Sequence, residues 1–251
     1  ELLINFVKKT QLDTWVLMKK KFGTNVEENF CREVDRVLKS NNLVRVLREG
    51  IQFTWGANVK LCYFKPASSV NPNLDNLYKS NIFSVIRQVY YSVKDKGQKG
   101  KNNSIDIVLF VNGIPITTME LKNSLTGHTI KDVIRQYRYD RRPAGEPLLS
   151  NGRVLVHIAA DTDEVEMTTK LNNGNTNFLP LNRGNNGLAG NSDILEEFKI
   201  AYLYKNLNDQ KAIFSKEVLL DIIANFVQKD GDTIIFPRFH QIDCVRKILA
   251  D

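Results

Sequence analysis

The sequence predicts an α/β protein whose central sheet is mixed and flanked by helices. Short runs rich in β-branched and aromatic residues alternate with stretches in which apolar residues recur at helical spacing. The dipeptide Asn112–Gly113, between two such apolar runs, is a strong signal for a tight antiparallel hairpin. Because strands and helices each bury one apolar side, these elements favour a sheet with helices packed on it.

The first third of the chain is predicted to be mainly helical. Apolar residues at helical spacing indicate three helices, and Asn25 followed by Glu27 and Glu28 is typical of a helix start. Two short strands around Gly56 and a loop with several Pro, Asn and Ser residues follow. The predicted bounds are 2–22, 26–39 and 41–49 for the helices, 51–55 and 59–64 for the strands, and 65–76 for the loop.

In the rest of the chain, predicted strands and helices alternate. The strands are 82–91, 105–111, 114–121, 154–160 and 165–169, and the helices are 129–142, 193–205, 215–227 and one beginning near Arg238. A basic, glycine-bearing loop is predicted at 92–103, and a long loop rich in Asn and Gly at 172–192.

Composition narrows the functional classes. Lys and Arg exceed Asp and Glu by 35 to 28, and this net charge of +7 is compatible with a polyanionic partner. No run approaches the roughly 18 apolar residues of a membrane-spanning helix, so no membrane partner is expected. Without a basic-then-apolar leader, and with Cys31, Cys62 and Cys244 dispersed as predicted buried free thiols, we expect a cytoplasmic protein without a zinc site.

The block from Asp106 to Lys122 carries the candidate chemistry. Asp106 interrupts the start of one apolar strand, and the next strand ends in Glu120-Leu-Lys122. Two neighbouring carboxylates repel each other unless a hard cation lies between them, and Mg²⁺ prefers oxygen ligands. A metal ion can activate water, and a lysine beside it can orient that water, so the trio is a plausible phosphodiesterase centre. The competing interpretation is a solvated rim of an ordinary sheet.

The hairpin turn decides whether the two carboxylates meet. Alternation along a strand puts Glu120 and Lys122 on one face. A two-residue turn would place Asp106 opposite Met119, with Glu120 on the other face. A three-residue turn would place Asp106 opposite Thr118, one diagonal step from Glu120. We therefore predict the three-residue turn, or an equivalent bulge, since only that alternation brings Asp106, Glu120 and Lys122 to one face of the sheet.

Further motifs surround this block. They are Asn81-Ile-Phe83 with Gln88, Val-Leu-Phe-Val-Asn-Gly-Ile-Pro after Asp106, Ile134-Arg-Gln136-Tyr-Arg-Tyr-Asp140-Arg, Thr162-Asp-Glu-Val-Glu-Met-Thr-Thr169, Phe178-Leu-Pro-Leu-Asn-Arg-Gly-Asn185 and Phe236-Pro-Arg-Phe-His-Gln241. The block itself resembles the PD-(D/E)xK nuclease motif. Over about residues 78–251, the sequence is similar to the N-terminal nuclease region of the restriction subunit of type I restriction–modification enzymes.

The resemblance implies a restriction-endonuclease-like fold that cleaves double-stranded DNA. Asp106 and Glu120 would hold Mg²⁺, Lys122 would assist the water, and Gln136 would support the site. Gln136 matches the start of a Gln-x-x-x-Tyr element, although Asp140 stands where the tyrosine belongs. In the family, cutting follows ATP-driven translocation within a complex that contains modification and specificity subunits. Gln241 opens the motor region there and recognises adenine, so ATP is expected only in the full-length subunit.

A basic helix is predicted next to the trio. It would contact DNA phosphates without reading sequence, or else form a merely solvated basic face. Its members are Lys131, Arg135, Arg138, Arg141 and Arg142.

The predicted division of the chain follows the same resemblance. Residues 1–77 form an N-terminal portion, 78–190 the nuclease core, 191–235 a helical linker and 236–251 the start of a motor domain. Two other functions stay open. One is a DNA-binding or assembly domain with a vestigial acidic cluster, and the other is a non-DNA enzyme or binding module with a similar sheet.

Overall fold

The structure is a computed structural model that describes residues 1–40, 43–68, 70–92, 103–162, 164–181 and 212–250. Within these ranges the helices are α1 (Leu2–Thr10), α2 (Leu12–Phe22), α3 (Val26–Ser40), α4 (Leu43–Glu49), α5 (Pro72–Lys79), α6 (Ile130–Arg135), α7 (Lys216–Asp221) and α8 (Phe239–Ala250). The strands are β1 (Ile51–Gln52), β2 (Asn58–Val59), β3 (Phe83–Tyr90), β4 (Ser104–Val111), β5 (Ile114–Leu121), β6 (Val156–Ala160), β7 (Val165–Thr168), β8 (Leu179–Pro180), β9 (Gln228–Asp230) and β10 (Thr233–Ile235). The predicted helix at 193–205, most of the basic loop at 92–103 and the second half of the loop at 172–192 lie outside the described residues.

A six-stranded mixed sheet in the order β3-β4-β5-β6-β7-β8 forms the centre of the described fold. Strands β5 and β6 run parallel, and the other neighbouring pairs run antiparallel. Two apolar cores contact the sheet. The larger contains Phe6, Leu47 and Ile158, and the smaller contains Val108 and Tyr137. The predicted α/β class with a mixed sheet between helices is confirmed.

The N-terminal helices differ from the prediction at two places. The single helix predicted over 2–22 is divided at Gln11, whose side-chain amide donates to the Lys60 carbonyl and accepts from the Lys60 N–H, both at 2.8 Å. The loop predicted over 65–76 is wrong in its second half, because α5 begins at Pro72. Asn71 caps this helix by accepting from the N–H of Asn73 at 3.0 Å, and proline suits the first helical position.

The C-terminal segment packs into the same core as the N-terminal helices. Ile213, Leu219 and Ile223 are buried there, although this segment falls within the predicted linker. The Arg48 guanidinium donates to the carbonyls of Ile223 and Val227, both at 2.7 Å. The helix predicted over 215–227 is α7 followed by a π-helical turn at Ile222–Phe226, and the hairpin β9–β10 follows it. The described part of the predicted linker thus belongs to the folded unit.

Two smaller expectations have mixed outcomes. Cys62 is buried as predicted, but Cys31 and Cys244 are exposed, because each lies on the outer side of an amphipathic helix. Among the described residues, none of the helices has both the length and the apolar character required to cross a bilayer.

The turn between β4 and β5 joins the sheet to the N-terminal region. Asn112 and Gly113 both have positive φ, 52° and 80°, as a two-residue type I′ turn requires. Asn112 is completely buried. Its side chain accepts from the Ile82 N–H at 2.7 Å and donates to the Leu61 carbonyl at 2.8 Å. This one amide therefore fixes the hairpin against two earlier segments.

Replacing Asn112 by Gly should lower the free energy of unfolding by about 3 kcal/mol. Glycine keeps the backbone conformation but leaves buried partner groups on Ile82 and Leu61 without hydrogen bonds. Asn173 has a similar φ of 48° but is exposed, so Asn173→Gly should change stability by less than about 0.5 kcal/mol. Urea unfolding measures both. Equal losses in the two variants would show that the buried hydrogen bonds contribute little.

Candidate active site

A bulge in β5 brings the two predicted carboxylates to one face of the sheet. Val111 pairs with Ile114 across a two-residue turn, so the predicted three-residue turn is wrong. The register then shifts between Leu109 and Phe110, since Leu109 pairs with Thr117 and Phe110 with Pro115. The residue left over in β5 is Ile116.

A bulge was the predicted alternative to a three-residue turn. It restores the alternation that puts Asp106 and Glu120 on the same face of the sheet. Beyond it, Ile107 pairs with Met119, so alternation places the next residues, Asp106 and Glu120, together on the other face of the sheet. The two carboxylates are close enough there to interact electrostatically. Met119 accordingly points into the larger core, on the other face from Glu120. Pro115 explains where the bulge forms, because proline has no N–H for a ladder and is found in sheets at edges and bulges.

Asp106 is half-buried at the beginning of β4 and accepts two hydrogen bonds. Its Oδ1 accepts from the Gln88 side-chain amide at 3.0 Å, and its Oδ2 accepts from the Leu121 N–H at 2.9 Å. Gln88 lies on the neighbouring edge strand β3 and has a φ of 52°. A non-glycine residue in this left-handed region costs about 1 kcal/mol of strain.

Glu120 is the most deeply buried charge of the site, with an exposed fraction of 0%. Its Oε1 accepts from the Arg141 guanidinium at 2.6 Å, while its Oε2 is buried and has no hydrogen-bond partner among the described residues. Burial raises the pKa of Glu120 to about 7, Arg141 opposes this rise, and the nearby Asp106 adds to it. The carboxyl is thus poised to exchange a proton near neutral pH.

Arg141 does not lie on the exposed basic face that the sequence predicts. It is only 8% exposed, and it lies 6.0 Å from the centre of the Tyr91 ring as well as against Glu120. Burial alone would lower the pKa of Arg141, but Glu120 reverses this and raises it on balance. The physical reason for the inward position is the need of a buried carboxylate for a counter-charge.

The helix that carries these basic residues is also irregular. α6 ends at Arg135 and continues as a π-helical turn over Gln136–Asp140, which is closed by a bond from the Arg141 N–H to the Gln136 carbonyl at 3.0 Å. Arg138 is half-buried and donates to the Thr176 carbonyl at 3.0 Å. The remaining predicted phosphate contacts are exposed, and a role in DNA binding stays a prediction for them: Lys131, Arg135 and Arg142.

The other predicted site residues are placed as follows. Lys122 follows β5 directly, is half-buried, and its N–H donates to the Ala160 carbonyl at 3.0 Å. Gln136 is half-buried on the helix, and its side chain forms no hydrogen bond with the carboxylates. Gln241 accepts from the Arg238 N–H at 2.8 Å and so stabilises the start of α8.

A buried polar network that the sequence did not reveal lies beside Glu120 on the same face. The Thr118 hydroxyl contacts the Tyr137 hydroxyl at 3.0 Å and His157 Nδ1 at 2.7 Å. Burial lowers the pKa of His157 to about 3 and raises that of Tyr137 well above its usual value, so both rings stay neutral. The available signal was Thr118 itself, two residues before Glu120 in the same strand.

The acidic pair has features that suit a divalent cation. Glu120 Oε2 is buried and finds no hydrogen-bond partner among the described residues, and the two carboxylates already repel each other. The described residues contain no group of three or more His, Cys, Asp or Glu side chains that could hold a metal ion. Mg²⁺ is commonly bound by one or two carboxylates, with water and substrate phosphates completing its ligands. Two carboxylates therefore fit Mg²⁺ better than a cation that needs a full protein cage.

Comparison with protein families bears directly on this arrangement. The model of the type I restriction enzyme R protein N terminus matches residues 8–176, which is more than half of the chain. The chain belongs to this family. The match confirms the resemblance to type I R subunits over residues 78–176 and extends it into the N-terminal helices, while residues 177–251 lie outside the match. No curated protein matches the sequence. The matched part of this R protein region contains Asp106, Glu120, Lys122 and Arg141.

The stability of this R protein region should depend on pH through Glu120. The folded state holds a proton on Glu120 up to about pH 7, whereas the ordinary value is 4.5, so unfolding releases a proton between these values. Stability from this group is therefore complete below about pH 4.5 and is lost as the pH rises through 7. Glu120→Gln should abolish this loss. Urea unfolding from pH 5 to 8 without divalent cations tests it, and parallel curves for the two proteins would contradict the raised pKa.

Removing Arg141 should destabilise the fold through Glu120. Arg141→Gln leaves a buried carboxylate without its counter-charge and should cost about 3 kcal/mol at pH 8. The neighbouring Arg142 is exposed, so Arg142→Gln should cost less than about 0.5 kcal/mol. In a Glu120→Gln background the cost of Arg141→Gln should shrink. A double-mutant cycle from thermal unfolding gives this coupling, and additive effects would mean that the ion pair contributes nothing.

Proposed function

We propose that this chain carries a Mg²⁺-dependent nuclease centre of the PD-(D/E)xK type, which hydrolyses DNA phosphodiester bonds. The observation that carries the proposal is the convergence of Asp106 and Glu120 on one face of β4 and β5, with Lys122 just beyond them. Membership of the type I R protein family supports DNA as the substrate.

Each side chain of the trio has a role that follows from its charge and position. Asp106 and Glu120 would hold the cation, because the two carboxylates interact on one face of the sheet and Glu120 Oε2 has no hydrogen-bond partner among the described residues. Bound Mg²⁺ would supply the positive charge that activates water and stabilises the phosphate during cleavage. Lys122 would orient the attacking water and offset negative charge on the phosphate, since it follows β5 directly, two residues after Glu120, and is half-buried.

The DNA would be held by charge rather than by base recognition. Lys131, Arg135 and Arg142 are exposed, and α6, which carries the first two of them, packs on β5 and β6. Such side chains contact phosphates without reading sequence. Recognition of a DNA sequence would then belong to a specificity subunit, and cutting would follow ATP-driven translocation by a motor region. Adenine recognition by Gln241 is proposed only for the full-length subunit.

A second function, that of a DNA-binding or assembly domain, is favoured by one observation. The 2.6 Å contact between Arg141 and Glu120 already gives the buried carboxylate a counter-charge, as in a purely structural ion pair. If the acidic pair is vestigial, the chain should bind DNA without cleaving it, and Asp106 should be dispensable.

Cleavage by the complete R subunit, assembled with its modification and specificity subunits, separates these functions. Asp106→Ala and Lys122→Ala should each reduce DNA cleavage at least about 100-fold in the presence of Mg²⁺ and ATP. Asp106→Ala removes a ligand of the cation, and Lys122→Ala removes the positive charge that offsets the phosphate. ATP hydrolysis and DNA binding should be retained. The measurement is the rate of linearisation of circular DNA that contains a recognition site.

Asp75→Ala is the matched control, because Asp75 is a carboxylate paired with Lys79 on α5, outside the sheet. It should cleave at the wild-type rate. Wild-type cutting by Asp106→Ala and Lys122→Ala would reject the assigned site, and DNA binding without any cutting by the wild-type assembly would favour the assembly domain.

A further inference from the structure

The edge strand β3 contains a strained residue directly beside the acidic pair. Gln88 has a φ of 52°, in the left-handed region that glutamine rarely adopts. Its neighbours Arg87 and Val89 pair with Ile107 and Ile105 in one and the same register, but Gln88 and Asp106 between them do not form a ladder pair. No residue is inserted in either strand, so the left-handed conformation does not compensate for a bulge. Strain of this kind persists where the surrounding contacts fix it, and such residues cluster at functional sites.

The Gln88 side chain is fixed at both of its polar ends. Its Oε1 accepts from the Ser104 hydroxyl at 3.1 Å, and its Nε2 donates to Asp106 Oδ1 at 3.0 Å. A hydroxyl can donate to an amide oxygen, and an ionised carboxylate can only accept. The two contacts together therefore define the amide orientation, with the nitrogen towards Asp106.

Both carboxylate oxygens of Asp106 therefore accept from neutral donors. Besides the Gln88 amide at Oδ1, the Leu121 N–H donates to Oδ2 at 2.9 Å. A neutral donor orients a carboxylate and leaves its full negative charge, whereas a lysine or arginine at the same place would compete with a cation. The hydrogen bonds from Gln88 and from the β5 backbone thus orient the Asp106 carboxylate towards Glu120.

We propose that Gln88 is a positioning residue for Asp106, held in a left-handed conformation so that its amide orients this carboxylate for the divalent cation. The inference rests on the proposed function, because it assumes that Asp106 is a ligand of that cation. It concerns a residue on the edge strand, outside the Asp106–Glu120–Lys122 trio. Partners that orient a ligand typically change metal affinity 10–100-fold when they are removed.

The test is Mn²⁺ binding to the full 251-residue chain, measured by isothermal titration calorimetry together with thermal unfolding. Gln88→Gly should bind Mn²⁺ about tenfold more weakly. Its Tm should stay close to that of the wild type, because glycine adopts a positive φ without strain. Asn173→Gly is the matched control, since Asn173 is exposed and has a φ of 48°, and it should bind Mn²⁺ like the wild type. Ser104→Ala, which leaves the β3 backbone unchanged, should weaken binding in the same direction.

The variants separate the failure of this inference from the failure of the proposed site. Loss of Mn²⁺ binding in Asp106→Ala, together with weaker binding in Gln88→Gly and Ser104→Ala, supports both. If Asp106→Ala loses binding but Gln88→Gly and Ser104→Ala bind as tightly as the wild type, Gln88 has no positioning role and the site stands. If Asp106→Ala itself binds like the wild type, the site is wrong, and the role of Gln88 falls with it.

Discussion

The extra residue in β5 is the constraint on which the whole site depends. A tight turn at Asn112–Gly113 would by itself place Asp106 opposite Met119 and send Glu120 to the other face of the sheet. The bulge at Ile116 cancels this offset, so that Met119 enters the larger core and Glu120 shares the other face of the sheet with Asp106. One residue that has no partner in β4 therefore brings two acidic residues, distant in sequence, to the same face of the sheet.

The sequence could predict the strands and the alternation that the site requires. It could not predict whether a three-residue turn or a bulge would produce that alternation. The apolar runs at 105–111 and 114–121 are clear, and the parity requirement follows from strand alternation alone. A three-residue turn and a bulge restore parity equally well, and Pro115 was the residue that distinguished them. The helix at Pro72–Lys79 was missed for a related reason. Asn71–Pro72 serves as a helix start as readily as a loop, and only the packing of the chain decides between them.

The role of Arg141 lay beyond sequence reasoning, because helical periodicity fails just before it. A regular α-helix fixes the direction of each side chain at 3.6 residues per turn. The π-helical turn at Gln136–Asp140 widens one turn and redirects the residues that follow, so a set of five basic residues no longer forms one face. Lys131 and Arg135 precede the turn and are exposed, whereas Arg141 follows it and is buried against Glu120.

Asp106 and Glu120 have different kinds of hydrogen-bond partner, and this difference bears on how they could bind one cation together. Asp106 is half-buried and accepts hydrogen bonds from two neutral groups. Glu120 is fully buried and bonded to the Arg141 guanidinium, yet Arg141 occupies only Oε1, and Oε2 has no partner in the part of the chain that the structure describes. A divalent ion between the carboxylates would therefore not have to displace Arg141. Arg141 can keep the Glu120 side chain in position through Oε1, while Glu120 Oε2 and Asp106 would supply the negative charge that a divalent ion needs.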